Sequence, residues 1–222
     1  MKLIPLILLV VASSLAAPPK DISFRTSDGG KIQGSLYGEG KHGIVFVPPP
    51  LTGREFWSSL AYEFSNRGYM ALTFDPRGRH ESKSGRKDGA FELDVTGAVS
   101  FLKKKTATKV TLISVANGAS IVMDAAKEAG SRVQQIVLLS PGPCDDVEKV
   151  RAKMLIIGAL RERSAKYAER IYRKRKEQDQ YEVFIRSGGG KALLEGERQR
   201  ERVLGFIFSF LEKGPRKGMR RH

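Results

Sequence analysis

The sequence predicts an α/β fold, with a mainly parallel central sheet and helices on both faces. Three observations carry this reading. Short, β-branched apolar runs alternate with longer segments of helical spacing through most of the 222 residues, the pattern of repeated βαβ units. Two of those runs, Val110 to Ser114 and Ile136 to Ser140, lack polar alternation, as strands covered on both faces require. The stretch Ser114-Val115-Ala116-Asn117-Gly118 joins one such run directly to a helical pattern, so a sharp strand-turn-helix is expected there.

The elements follow in order. Met1-Lys2 is a short positive segment, Leu3 to Val11 an apolar run, and Ser14-Leu15-Ala16 a small-x-small cleavage pattern. Residues 1–16 therefore read as a signal peptide, and the mature protein as secreted or periplasmic. The apolar run is short for a membrane span; an uncleaved N-terminal anchor is the alternative. No later segment is apolar enough to cross a bilayer. Ile22 to Arg25 and Lys31 to Leu36 flank the turn Ser27-Asp28-Gly29-Gly30 and read as a hairpin. Gly43 to Val47 is a third strand. Arg54 to Arg67 has helical spacing at Phe56, Leu60 and Phe64. Tyr69 to Phe74 is a strand stopped by Asp75-Pro76. Ala90 to Lys104 is a helix with Phe91, Val95, Ala98 and Leu102 on one face. The elbow helix runs from Asn117 to Ala129. Met154 to Ile157 and Tyr181 to Ile185 are further strands. Ala165 to Lys176 and Glu197 to Leu211 are the last helices. A single domain over 20–212 holds these elements. Residues 213–222 form a basic tail without apolar periodicity, expected to be disordered.

The formal net charge is +15. Such a surface attracts anionic partners, either an anionic small molecule or an anionic envelope surface. No aromatic-interleaved nucleic-acid motif is present. The densest positive stretch is Arg170, Arg173, Lys174, Arg175 and Lys176. Cys144 is the only cysteine, so no internal disulfide forms; it is either buried or a reactive thiol. No phosphate loop and no His/Cys/Asp spacing suited to a metal is seen, so no cofactor is expected.

The order of motifs resembles the α/β-hydrolase superfamily over nearly the whole mature chain. Asp75-Pro76-Arg77-Gly78-Arg79-His80-Glu81-Ser82 is similar to that superfamily's D-x-R-G-x-G-x-S segment, with His80 where a glycine is usual. Thr111 to Val122 matches the nucleophile elbow G-x-S-x-G and its helix. Met154 to Arg161 resembles the strand ending in G-x-x-D. Phe184 to Leu194 resembles the last strand and the loop that carries the catalytic histidine. The short link Pro141 to Lys153 resembles the small, lidless serine-hydrolase type.

The resemblance places the catalytic groups at substituted positions. The nucleophile position is Ala116, which has no oxygen. Ser114 lies in the strand end and Ser120 one turn into the helix. The acid position is Arg161, which cannot accept a hydrogen bond from an imidazole; Glu162 is shifted by one residue, and Asp145 or Asp146 could serve from the previous strand. The base position is Lys191. The other candidate bases are the three histidines: His42 at the opposite end of the sheet, His222 in the tail, and His80 in a loop on the active face. The oxyanion hole keeps the Asn117 N–H, but its second donor falls in Pro48-Pro49-Pro50-Leu51, where only Leu51 has an N–H to give.

The resulting expectation is an exported hydrolase-like protein that has lost turnover and acts by binding. Its cleft would be lined by Leu51, Arg77 (or Arg79), Asn117, Arg161 and Lys191, and would suit a carboxylate or phosphate group. An active ester hydrolase with an unusual nucleophile, Cys144 assisted by His80, is one alternative. Binding to a surface through the basic helix and tail is another.

Overall fold

The computed structural model describes residues 17–160, 162–175, 180–185 and 189–213, with the backbone alone described at 180–185 and at Lys191. The signal segment and the basic tail lie outside the described residues.

The strands are β1 (Lys20–Arg25), β2 (Lys31–Tyr37), β3 (His42–Val47), β4 (Met70–Phe74), β5 (Lys109–Val115), β6 (Gln135–Leu139), β7 (Lys153–Ala159) and β8 (Gln180–Ile185). They form an 8-stranded sheet in the order β1-β2-β4-β3-β5-β6-β7-β8. The hairpin β1/β2 is antiparallel, and β2 joins β4 antiparallel. From β4 to β8 every pairing is parallel. The helices are α1 (Ser58–Asn66), α2 (Phe91–Lys104), α3 (Gly118–Ala129), α4 (Arg163–Lys174) and α5 (Glu197–Lys213). Each strand expected from the sequence is present, and so are the helices, apart from a division of the segment that starts at Arg54.

The central strands are buried on both faces, and their side chains divide by the two-residue period of a strand. Val45, Val47, Val110 and Leu112 face a core that also holds Val95, Leu102, Val122, Met123, Ala168 and Ile171 from α2, α3 and α4. Ile44, Phe46, Ile113 and Val115 face the second core, with Leu60 and Phe64 of α1 and Val203, Ile207 and Phe208 of α5. Apolar burial on both faces explains why β5 and β6 read as unbroken hydrophobic runs.

The segment from Arg54 divides where one helix was expected. Arg54–Trp57 is a 3-10 turn and α1 starts at Ser58. The tight turn coincides with anchoring of Trp57, which is fully buried and donates its indole N–H to Val47 O at 3.0 Å. A buried indole needs such a partner. The bond ties the start of the helix to the end of β3.

Two arginines expected on the surface are internal. Arg175, placed by sequence in the exposed positive stretch, is 1% exposed. Its guanidinium donates to the carbonyls of Val147, Val150 and Ala152, pinning the loop between β6 and β7. Burial lowers its pKa to about 10. Arg77 is the second case.

Candidate functional site

The parallel strands β3 to β8 end at one edge of the sheet, where open α/β folds place their ligands. Among the described residues, Leu51, Arg77, Asn117 and the backbone of Lys191 follow strands at this edge.

The elbow is formed as its sequence implies. Ala116 connects β5 to α3 with φ +49°, a left-handed conformation unfavourable for a residue with a Cβ. Its N–H donates to Leu139 O at 3.1 Å, and its carbonyl accepts from Gly142 N–H at 2.9 Å. Gly118 permits the close return of α3 onto the strand, since a Cβ there would lie 3.1 Å from Ser114 Cβ. The point of the elbow thus carries a methyl group. The two neighbouring serines stand away from that point. Ser114 is 0% exposed and its Oγ has no hydrogen-bond partner among the described residues. Ser120 donates its hydroxyl to Asn117 O at 3.1 Å. Asn117 is exposed and stands at the N-cap of α3, where helix N–H groups lack intrahelical acceptors.

At the acid position, Arg161 lies outside the described residues. The adjacent Glu162 is the group that reaches across to the loop after β8, accepting the Gly189 N–H at 2.5 Å. Contact there is close: a Cβ on Gly189 would stand 2.6 Å from Ser140 Oγ. Asp145 and Asp146, considered as replacement acids, are turned to other partners. Asp145 pairs with Arg170 of α4 at 3.5 Å. Asp146 pairs with Lys127 of α3 at 3.4 Å and with Lys149 at 3.1 Å.

At the base position, Lys191 belongs to a 3-10 turn, Gly190–Leu194, and its side chain lies outside the described residues, as does His222. His42 opens β3 at the far end of the sheet, its Nε2 2.8 Å from Thr111 Oγ1. Burial lowers its pKa to about 4.

The loop after β3 makes a turn closed by Thr52 N–H to Pro49 O at 2.9 Å. Leu51 stands on that turn, 82% exposed, and its carbonyl accepts from Arg79 at 2.6 Å.

Arg77 does not line a cleft. Its side chain is 1% exposed and clamped between Asp28 and Asp94, themselves 5% and 0% exposed. Its Nε donates to Asp94 Oδ1 at 2.9 Å and a terminal nitrogen to Asp28 Oδ2 at 3.0 Å. The bond from Arg77 holds the Asp28 carboxyl well below the usual carboxylate range. Burial pushes Asp94 upward, against its bonds from Arg77. The exposed arginine of this loop is Arg79. Cys144 is likewise unsuited to attack: it is 8% exposed within the core beside α4, and burial raises its pKa to about 11, where almost no thiolate exists at neutral pH.

Sequence spacing did not show that three ligand-type side chains converge beside this edge. Glu55, Asp75 and His80 bring one ligand atom each to within 4.8 Å of one another. They come from the loop after β3 and the loop after β4, 20 and 5 residues apart in sequence, so only the β3/β4 pairing assembles them. His80 adopts φ +46°, which accounts for the glycine usual at its position.

No protein-family model and no curated protein matches this chain. Solved structures do. The chain is similar to the esterase Pf2001 of Pyrococcus furiosus, with a TM-score of 0.77 at 15% identity over 88% of this chain and 91% of that one. It is similar to the α/β hydrolase GrgF of Penicillium sp. sh18, with a TM-score of 0.76 at 14% identity over 90% and 99%. Dienelactone hydrolase of Anabaena variabilis gives 0.73 at 18% identity over 91% and 100%. At such identities the common property is architecture, and this chain has the α/β-hydrolase fold.

Proposed function

We propose that this protein keeps the hydrolase fold without serine-hydrolase turnover and acts by binding at the C-terminal edge of its sheet. The observation that carries this reading is the methyl group of Ala116 at φ +49°, with the Ser114 hydroxyl buried and the Ser120 hydroxyl bonded to Asn117 O. Acyl transfer by this fold needs a nucleophile raised on that turn. The ligand is anionic, a carboxylate or phosphate group. Support comes from the sequence positions of Arg161 and Lys191, where acid and base would stand, from the exposed Arg79, and from the positive end of α3 at Asn117. The protein is exported through residues 1–16, and the chain's net positive charge, formally +15 before Lys2 leaves with that segment, suits it to an anionic envelope.

The test is labelling of the mature protein with a serine-reactive fluorophosphonate, alongside a short-chain ester assay. No adduct and no turnover are expected. A specific adduct would overturn the reading, and the labelled residue would identify the true nucleophile. For the ligand, Arg161→Ala with Lys191→Ala should abolish binding of inorganic phosphate and acetate; unchanged affinity refutes the anionic assignment. Amino-terminal sequencing of exported protein should begin at Ala17.

A further inference from the structure

We propose that Glu55, Asp75 and His80 form a binding site for a first-row divalent cation of the zinc type, between the loop that follows β3 and the loop that follows β4. The convergence is specific in its atoms. A Cβ placed on Gly53 would lie 2.4 Å from Glu55 Oε2, 2.7 Å from Asp75 Oδ1 and 2.9 Å from His80 Nε2. Three ligand atoms therefore surround a space that exists because residue 53 has no side chain. Gly53 is not needed there for its backbone: φ is −117° and ψ −169°, an extended conformation open to any residue.

The ligands are oriented by hydrogen bonds from behind, as outer-shell donors orient metal-binding carboxylates. Asp75 is the fixed member, with a side chain 2% exposed. Its Oδ1 accepts the Arg54 N–H at 2.8 Å and its Oδ2 faces Arg54 Nε at 3.3 Å. Oδ1 keeps a lone pair for a cation, since a carboxylate offers about four acceptor sites. Glu55 Oε1 accepts the Gly53 N–H at 3.1 Å, which leaves Oε2 directed at the common space. His80 Nε2 stands 4.0 Å from Asp75 Oδ1.

The charge balance permits a cation. The Arg54 guanidinium is shared with Asp21, at 2.9 Å. Asp21 and Asp75 share that guanidinium, and Glu55 adds a third carboxylate beside Asp75, so the acidic groups outnumber this one arginine before a metal enters. Tetrahedral zinc holds its ligands at about 2.0–2.2 Å, which places ligand atoms about 3.4 Å apart. The present separations reach 4.8 Å, so Glu55 and the half-exposed His80 close around the buried Asp75. Two carboxylates and one imidazole are a donor set that zinc accepts, and three protein ligands leave a fourth position for water.

The test is calorimetric titration of untagged, chelator-stripped protein with ZnCl2. Fluorescence of Trp57, the only tryptophan, which follows Glu55 by two residues, gives a second readout. One saturable site is expected, with Mn2+ binding more weakly. His80→Ala and Gly53→Ala should each weaken zinc by about tenfold or more, while His222→Ala leaves it unchanged. His80 and Glu55 are exposed, so His80→Ala and Glu55→Gln keep the fold, which circular dichroism verifies. Absence of saturable binding overturns the proposal. So does binding that His80→Ala and Gly53→Ala both leave intact, or binding that only His222→Ala removes. None of these outcomes bears on whether Ala116 supports turnover.

Discussion

Replacing Arg77 by methionine removes the charge and keeps most of the stem volume. The structure fixes the consequence. Asp28 and Asp94 lose the guanidinium that both contact, and Asp94 is 0% exposed. Asp28 retains bonds from Thr26 Oγ1 at 2.5 Å and Lys87 N–H at 3.0 Å, and Asp94 retains the Arg77 backbone N–H at 2.9 Å. Neither retains a counter-charge. Removing one member of a buried ion pair costs about 3–5 kcal/mol, and two stranded carboxylates put this case at the upper end. The cost depends on pH in a defined direction. In the intact protein Asp28 is held below its unfolded pKa of 3.8, so its contribution is complete above that value and lost as pH falls through the folded pKa. Without Arg77 both carboxyls titrate above their unfolded values, so the variant loses stability as pH rises through the new folded pKa values. The gap between the two proteins therefore widens upward from about pH 4. Urea unfolding followed by far-ultraviolet circular dichroism at pH 4.5 and 7.5 measures it. A difference below about 1 kcal/mol at pH 7.5, or one independent of pH, would refute a buried structural role for this arginine.

Three further outcomes follow from single residues. His42 has a folded pKa of about 4 against 6.5, so the unfolded chain binds its proton first. Stability should fall by up to about 3 kcal/mol as pH drops from 6.5 to 4, and His42→Gln should flatten that slope in pH-dependent unfolding. Ser114 buries a hydroxyl without a partner among the described residues; Ser114→Ala should be neutral or gain about 1 kcal/mol, and a loss of that size in chemical unfolding would mean the hydroxyl has a partner. At Ala116, φ +49° tolerates glycine and opposes a β-branched side chain. Ala116→Val should cost about 2 kcal/mol while Ala116→Gly stays within about 1 kcal/mol of the parent, and equal melting temperatures for the two would show that the turn is not strained.

The fold was legible because the signals that carry it are local. Apolar runs at Val110 to Ser114 and Ile136 to Ser140 required two covered faces, and the two cores supply them. The elbow was legible from Ser114 to Gly118, since a buried strand entering a helix without a spacer leaves little choice of turn. Burial of charge was not legible. Arg77 and Arg175 look like surface residues in a chain of net charge +15, and only their distant partners reveal otherwise: Asp28 is 49 residues from Arg77, and the carbonyls that hold Arg175 lie 23 to 28 residues away. The trio Glu55, Asp75 and His80 was hidden for the same reason, because it forms across adjacent strands rather than along one.

The segment after β4 shows what a hydrolase-like motif contributes to the architecture. Its members mostly hold loops rather than substrate. Asp75 accepts the Arg54 N–H and so fixes the start of the turn that anchors Trp57. Arg77 joins the β1/β2 turn to α2 through Asp28 and Asp94. Ser82 donates to Asp75 O at 2.8 Å and accepts from Gln33 N–H at 2.9 Å, closing the loop onto β2. Each of these bonds is buried or half-buried, so losing any of them would cost stability whether or not the protein has a substrate. Ala116 differs: its methyl packs against the second core, at the turn from which this fold raises a nucleophile. Positions that serve the architecture match the resemblance, and the position that would serve only chemistry departs from it.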